Sequence, residues 1–127
     1  MIDDKIKKLA QQDNFGTLTT LLPDGSPNTH VMWVDADDDF LLINTEIGRA
    51  KYRNLERDPR VSVTIWDKSD PYRYVEVRGR MVETVHGEPA RRHIDDLSLK
   101  YTGRPYDEKA IQTERVILKI APDRQRA

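Results

Sequence analysis

Cysteine is absent from the 127 residues, which removes disulfide staples, thiolate nucleophiles and thiolate metal sites at once. Excess charge of either sign is also missing. Lys plus Arg number 21 against 22 Asp plus Glu, so the chain lacks the basic footprint of a nucleic-acid binder. No apolar run approaches the roughly 18 residues of a membrane span. Met1 to Gln12 carries Lys5, Lys7 and Lys8 without an apolar stretch, unlike a secretory leader. The expectation is a cytoplasmic protein with no nucleic-acid and no membrane partner.

Familiar chemical motifs are missing too. No G-x-G-x-x-G follows a strand, and there is no P-loop, HExxH or GxSxG. His30, His86 and His93 show no metal-ligand spacing. The acidic run Asp35, Asp37, Asp38, Asp39 lacks the glycine and terminal Glu of a calcium loop and reads as a solvated turn. No metal site and no side-chain catalytic residue is indicated. Reactivity, if present, falls to a bound organic cofactor.

What is present is a succession of short elements. Ile2, Ile6 and Leu9 keep helical spacing over residues 2–12. FGTLTTLL (15–22) and NTHVMWVD (28–35) flank the turn Pro23-Asp24-Gly25 and predict a hairpin. FLLINT (40–45) is a buried strand. Gly48 and Pro59 bracket a helix of about ten residues. VSVTIW (61–66) alternates, a polar loop covers 68–71, and Tyr72 to His86 alternates for about fifteen residues, with a bulge at Gly79. A helix with Pro89 in its first turn carries Ile94, Leu97 and Tyr101 on one stripe and stops at Gly103 and Pro105. RVILKI (115–120) is the last strand. So many strands with so few helices predict a single mainly β domain over 1–127, an antiparallel sheet closed into a barrel. A sandwich and an open α+β sheet share the pattern. Hydrophobic residues make up only 37%, so part of the core is expected to be completed at a subunit interface.

Two segments carry functional information. Arg49, Lys51, Arg53 and Arg57 stand near a helix N-terminus after a buried strand, where free N–H groups and the helix dipole favour a phosphate. On a regular helix Lys51 points roughly 200° from Arg49, so the two reach one phosphate only if Arg49 belongs to the loop. A solvated basic face paired with Glu56 and Asp58 fits the same residues. Tyr72 and Tyr74 share one strand face beside Trp66, a wall suited to a flat ring and equally to a core cap or a dimer interface. Trp33 carries the same two meanings.

In order along the chain stand GTLTTLLPDGSPNTHVMWV, LLINTEIGRAKYRNLERDPRVSV, PYRYVEVRGR, YTGRP and ERVILKI. This series resembles the pyridoxamine-phosphate-oxidase-like, FMN-binding-like split β-barrels, and within them the branch of deazaflavin-dependent reductases that use coenzyme F420. The GRAKYRNLERDPRV block is the most specific part. The resemblance implies a homodimer with two cofactor sites at the subunit interface. It implies that Arg49 and Lys51 hold the cofactor phosphate with Asn54 alongside, that Asn44 and Thr45 add polar contacts, and that Tyr72 and Tyr74 border the cofactor from the partner chain. Many members carry a longer tail than one ending at Ala127, which leaves the substrate-side wall open. The implied activity is hydride transfer between F420 and a small conjugated substrate. An FMN-dependent oxidase or reductase and a non-catalytic flavin or deazaflavin carrier are the alternatives.

Overall fold

Alternating side chains put much of this chain into strands, and the computed structural model describes residues 1–127 as seven strands, three α-helices and one short 3₁₀ helix. Helix α1 (Asp4–Gln11) is capped by Asp3, whose carboxylate accepts from Lys5 N at 2.9 Å. It buries Ile2, Ile6 and Ala10, with Leu9 packed at the edge of the core. Strands β1 (Phe15–Leu21) and β2 (Pro27–Trp33) pair antiparallel from Phe15↔Trp33 to Leu21↔Pro27. The acidic segment is part strand: β3 (Asp35–Ala36) pairs with β4 (Leu41–Glu46). The intervening turn closes on Asp37, whose carboxylate accepts from the N–H groups of Asp39 and Phe40.

Helix α2 (Ala50–Arg57) leads to β5 (Arg60–Asp67), which pairs with the long β6 (Asp70–Val85). The loop expected over 68–71 shrinks to Lys68 and Ser69, because Asp67 accepts from both Ser69 N and Ser69 Oγ and β6 starts at Asp70. Helix α3 (Glu88–Thr102) follows, and Gly103 ends it in the left-handed conformation at φ 77°. Strand β7 runs Arg115–Arg126, six residues beyond the apolar stretch. The extra length is polar, and it is held by pairing with the first half of β6, from Gly79↔Pro122 to Glu76↔Arg126. The expected bulge at Gly79 is there. The β6–β7 register shifts between Arg78 and Gly79, and a Cβ on Gly79 would stand 2.0 Å from Ala121 O.

The strands form one antiparallel sheet in the order β2-β1-β5-β6-β7-β4-β3. Its two outermost strands, β2 and β3, are separated in sequence only by Val34. The sheet must therefore curl until its edges meet. It does not close by hydrogen bonding there, which corrects the expectation of a closed barrel and makes this a split barrel. Inside the curl lie Leu18, Leu41, Ile43, Val63, Ile65, Val77, Val116, Leu118 and Ile120. Helix α3 covers the outside of β4 and β7 with Ala90, Ile94 and Leu97. No helix is long and apolar enough to cross a membrane.

Candidate functional site

Where β4 runs out, the chain turns through Ile47 and Gly48 into α2, and Arg49 is the N-cap residue with extended backbone, φ −86° and ψ 149°. Arg49 thus belongs to the loop, the condition under which it and Lys51 face one site. A cavity of about 340 Å³ opens there, within the range of small-ligand pockets. It is lined by the cations Arg49, Lys51 and Arg115, by the polar Asn44 and Thr45, and by the apolar and aromatic Phe15, Val31, Met32, Trp33, Ile94 and Tyr106.

A buried carboxylate anchors two of these cations. Glu46 is 1% exposed and accepts from Gln112 N (2.9 Å), Thr113 N (2.7 Å), Thr113 Oγ1 (3.0 Å) and Arg115 Nη1 (3.2 Å). Burial pushes its carboxyl upward. The donors of Thr113 and Gln112, together with the Arg115 charge, outweigh that push and hold it below the ordinary value. Arg115 stands opposite Glu46 in the β4–β7 register. Its Nε donates to Asn44 Oδ1 at 2.8 Å and its guanidinium lies 5.2 Å from the centre of the Tyr106 ring.

Two cations, Arg115 and Arg49, converge on this carboxylate, and Arg49 approaches it only to 3.8 Å. Lys51 is half-buried and takes part in none of the structure's ion pairs. Burial, with Arg49 and Arg115 nearby, lowers its ammonium below the ordinary lysine value. Beside it, His30 is pushed down by burial and by the Lys51 charge, and its buried Nδ1 has no hydrogen-bond partner. This uncompensated positive charge suits a phosphate or a similar anion.

The aromatic residues form a cluster. Trp33 stacks on Tyr101 with centroids 5.1 Å apart and planes at 6°, and Tyr106 meets Trp33 edge-on at 6.3 Å. Tyr101 is locked behind it. Its hydroxyl donates to Asn14 O and accepts from Val34 N, and burial drives its phenol up to about 12. Flat aromatic walls and cations lining one cavity fit a phosphorylated ring system.

Of the residues expected from the sequence, Asn44, Thr45, Arg49 and Lys51 come together. Asn54 does not join them. It is buried, donates from Nδ2 to Thr20 Oγ1 at 3.1 Å and accepts from Arg57 at 2.9 Å, so both ends of its amide are used inside the fold. Arg53 donates to Gly48 O and Arg57 to Leu21 O, while Asp58 pairs with Arg60. Tyr72 and Tyr74 are 91% and 60% exposed and lie outside this cavity within one chain. Tyr74 borders a separate groove of about 570 Å³ with Lys5, Lys8 and Arg73. Arg115, Tyr106 and the anchoring Glu46 were not singled out by sequence. Their one signal is a charged residue opening an otherwise apolar strand, and it gains meaning only once the β4–β7 register is known.

Residues 2–127 match the family described as pyridoxamine 5'-phosphate oxidase. Among solved structures, an F420 reductase is similar at 30% identity over 98% of each chain, with a TM-score of 0.84. A conserved hypothetical protein from Mycobacterium tuberculosis is similar at 29% identity, over 99% of this chain and 83% of that one, with a TM-score of 0.73. A putative pyridoxamine 5'-phosphate oxidase from Listeria innocua, 23% identical over 97% and 94% of the two chains with a TM-score of 0.70, shares the fold.

Proposed function

The chain belongs to the pyridoxamine 5'-phosphate oxidase family, and on that premise we propose that it is an F420-dependent oxidoreductase acting on a small conjugated organic substrate. The family and the similarity to an F420 reductase support a flavin- or deazaflavin-related oxidoreductase. The observation that carries the finer reading is one cavity lined by three cations and by the aromatic rings of Trp33, Tyr106 and Phe15. An F420 reductase similar over 98% of both chains supports the choice of cofactor.

In this reading Arg49 and Lys51 bind the cofactor phosphate from the loop and first turn of α2, and Arg115 adds a planar fork from the start of β7. Asn44 and Thr45 supply polar contacts, and Trp33, Phe15 and Tyr106 shield the ring from water. A bound deazaflavin supplies the hydride chemistry. No protein acid or base is required of the chain in this reading.

The working unit in this proposal is a homodimer, the whole chain forming one cofactor-binding domain. Support comes from the outer face of β2, β1, β5 and β6, which exposes Val31, Phe15, Tyr72 and Tyr74 together. A second copy on that face brings the two tyrosines to the partner's cavity. FMN is the alternative cofactor on the same anion site. The activity is tested by following reoxidation of chemically reduced F420 with a panel of enones and quinones. Substrate-dependent reoxidation that saturates with enzyme supports the proposal. Binding of F420 with no turnover of any of them supports a carrier instead.

A further inference from the structure

From the cavity-lining Arg115 and Asn44 back to His93 and Asp35 runs a chain of hydrogen bonds joining residues far apart in sequence. His93 on α3 places Nε2 at 3.0 Å from Asp35 Oδ2 and Nδ1 at 3.1 Å from Asn44 Nδ2. Asn44 Nδ2 also reaches Ala90 O at 2.9 Å, and Asn44 Oδ1 receives Arg115 Nε at 2.8 Å. Two of these groups have only one role. The Arg115 Nε–H can only donate and the Ala90 carbonyl can only accept. The Asn44 amide is therefore fixed with oxygen toward Arg115 and nitrogen toward Ala90, and its second N–H points at His93 Nδ1. That nitrogen must offer a lone pair, so the ring proton sits on Nε2 and is donated to Asp35.

We propose that His93, in the neutral form protonated on Nε2, is a positioning residue of the anion site: through Asn44 it sets the aim of Arg115. This rests on the reading of Arg49, Lys51 and Arg115 as an anion site. The imidazolium form puts an N–H against the Asn44 NH₂. Turning the amide over does not relieve the conflict, because that sets NH₂ against Arg115 Nε–H and oxygen against Ala90 O. Protonating His93 therefore releases Asn44 and loosens Arg115.

The groups around the ring are Asp35 from β3, Asn44 and beyond it Glu46 from β4, Arg115 from β7, and Lys100 from its own helix, whose Nζ donates to Val34 O. Asp35 and Glu46 are both held below the ordinary carboxylate range and stay ionised wherever histidine titrates. Asp35 offsets the charge of an imidazolium beside it, so protonation adds little attraction for an anion. His30, beside Lys51, works with the opposite sign, since its protonation adds positive charge to the cavity.

The probe is sulfate, measured at about pH 8. In His93→Leu, which offers Asn44 no acceptor, its affinity is expected to fall roughly tenfold, the scale of one charge-assisted bond. In His93→Asn, whose amide oxygen takes the place of Nδ1, the affinity is expected to be retained. Ring ¹⁵N spectra of the wild type at that pH are expected to show His93 protonated on Nε2. A proton on Nδ1, a folded His93→Leu that binds sulfate as tightly as the wild type, or a His93→Asn that loses as much as His93→Leu overturns the proposal, as does sulfate that fails to bind the wild type. Neither readout involves F420 or FMN, so failure of the cofactor assignment leaves this result intact, and the reverse also holds.

Discussion

Two cationic regions of this molecule are built on opposite terms. Along the long ribbon of β5, β6 and β7, each of four cations has its own carboxylate: Arg60 with Asp58, Arg78 with Glu76, Arg80 with Asp123 and Lys119 with Glu83. Around the start of α2, Arg115 and Arg49 share Glu46, and half-buried Lys51 has no carboxylate partner. The ribbon's pairs are solvated and worth little each. The pocket's charges are crowded and partly desolvated, an arrangement that costs stability until an anion arrives. Arginine and lysine thus carry different meanings in the two regions, and pairing rather than count marks the candidate site.

Removing the shared carboxylate is the harshest way to break this contrast. Glu46→Ala leaves buried Arg115 without its ion pair and the Gln112 and Thr113 N–H groups without an acceptor, and should cost about 3–5 kcal/mol in denaturant unfolding. Cutting the pocket's free cations is next. The double variant Arg49→Ala, Lys51→Ala should keep its fold and lose roughly a hundredfold or more in affinity for the phosphate-bearing cofactor, at about 1.5–3 kcal/mol per charge-assisted bond. The same pair of changes at Arg60 and Arg78 should leave cofactor affinity unchanged. If both double variants lose affinity alike, the two regions do not differ as described.

Acid sharpens the comparison at smaller scale. Glu46 has a folded value below its unfolded one, so its contribution to stability is fully present above the ordinary glutamate value of 4.5 and is lost as pH falls through the lowered folded value. Stability of the wild type should therefore drop on the acid side of pH 4.5. A Glu46→Gln variant should lose that part of the slope in pH-dependent urea unfolding. The smallest effect belongs to the ribbon: Arg80→Ala should leave the urea unfolding midpoint nearly unchanged.

Sequence reading reached the parts of this fold whose causes are local. The hairpin over 15–35, the buried strand before the helix, and the Gly79 bulge each follow from side chains within a few positions of one another. The loop placement of Arg49 was legible as a geometric condition, because a regular helix separates it from Lys51. The end of β7 was not legible: Pro122 to Arg126 carries no apolar alternation and is a strand only because β6 lies beside it. Arg115 escaped notice for the same reason, since its partner Glu46 lies 69 positions away and meets it through register. Asn54 sits in the most family-specific stretch, yet its amide is used by Thr20 and Arg57. Tyr72 and Tyr74 have their expected strand positions, while the wall beside the cations in one chain is made by Trp33, Tyr106 and Phe15.

The central claim is that the cationic pocket holds a deazaflavin by its phosphate, and parallel fluorescence titration with F420 and with FMN tests it most directly. The wild-type protein should bind F420 saturably at one per chain and more tightly than FMN, and the Arg49→Ala, Lys51→Ala variant should lose that binding. A protein that purifies yellow, binds FMN tightly and shows no binding of F420 would contradict the account.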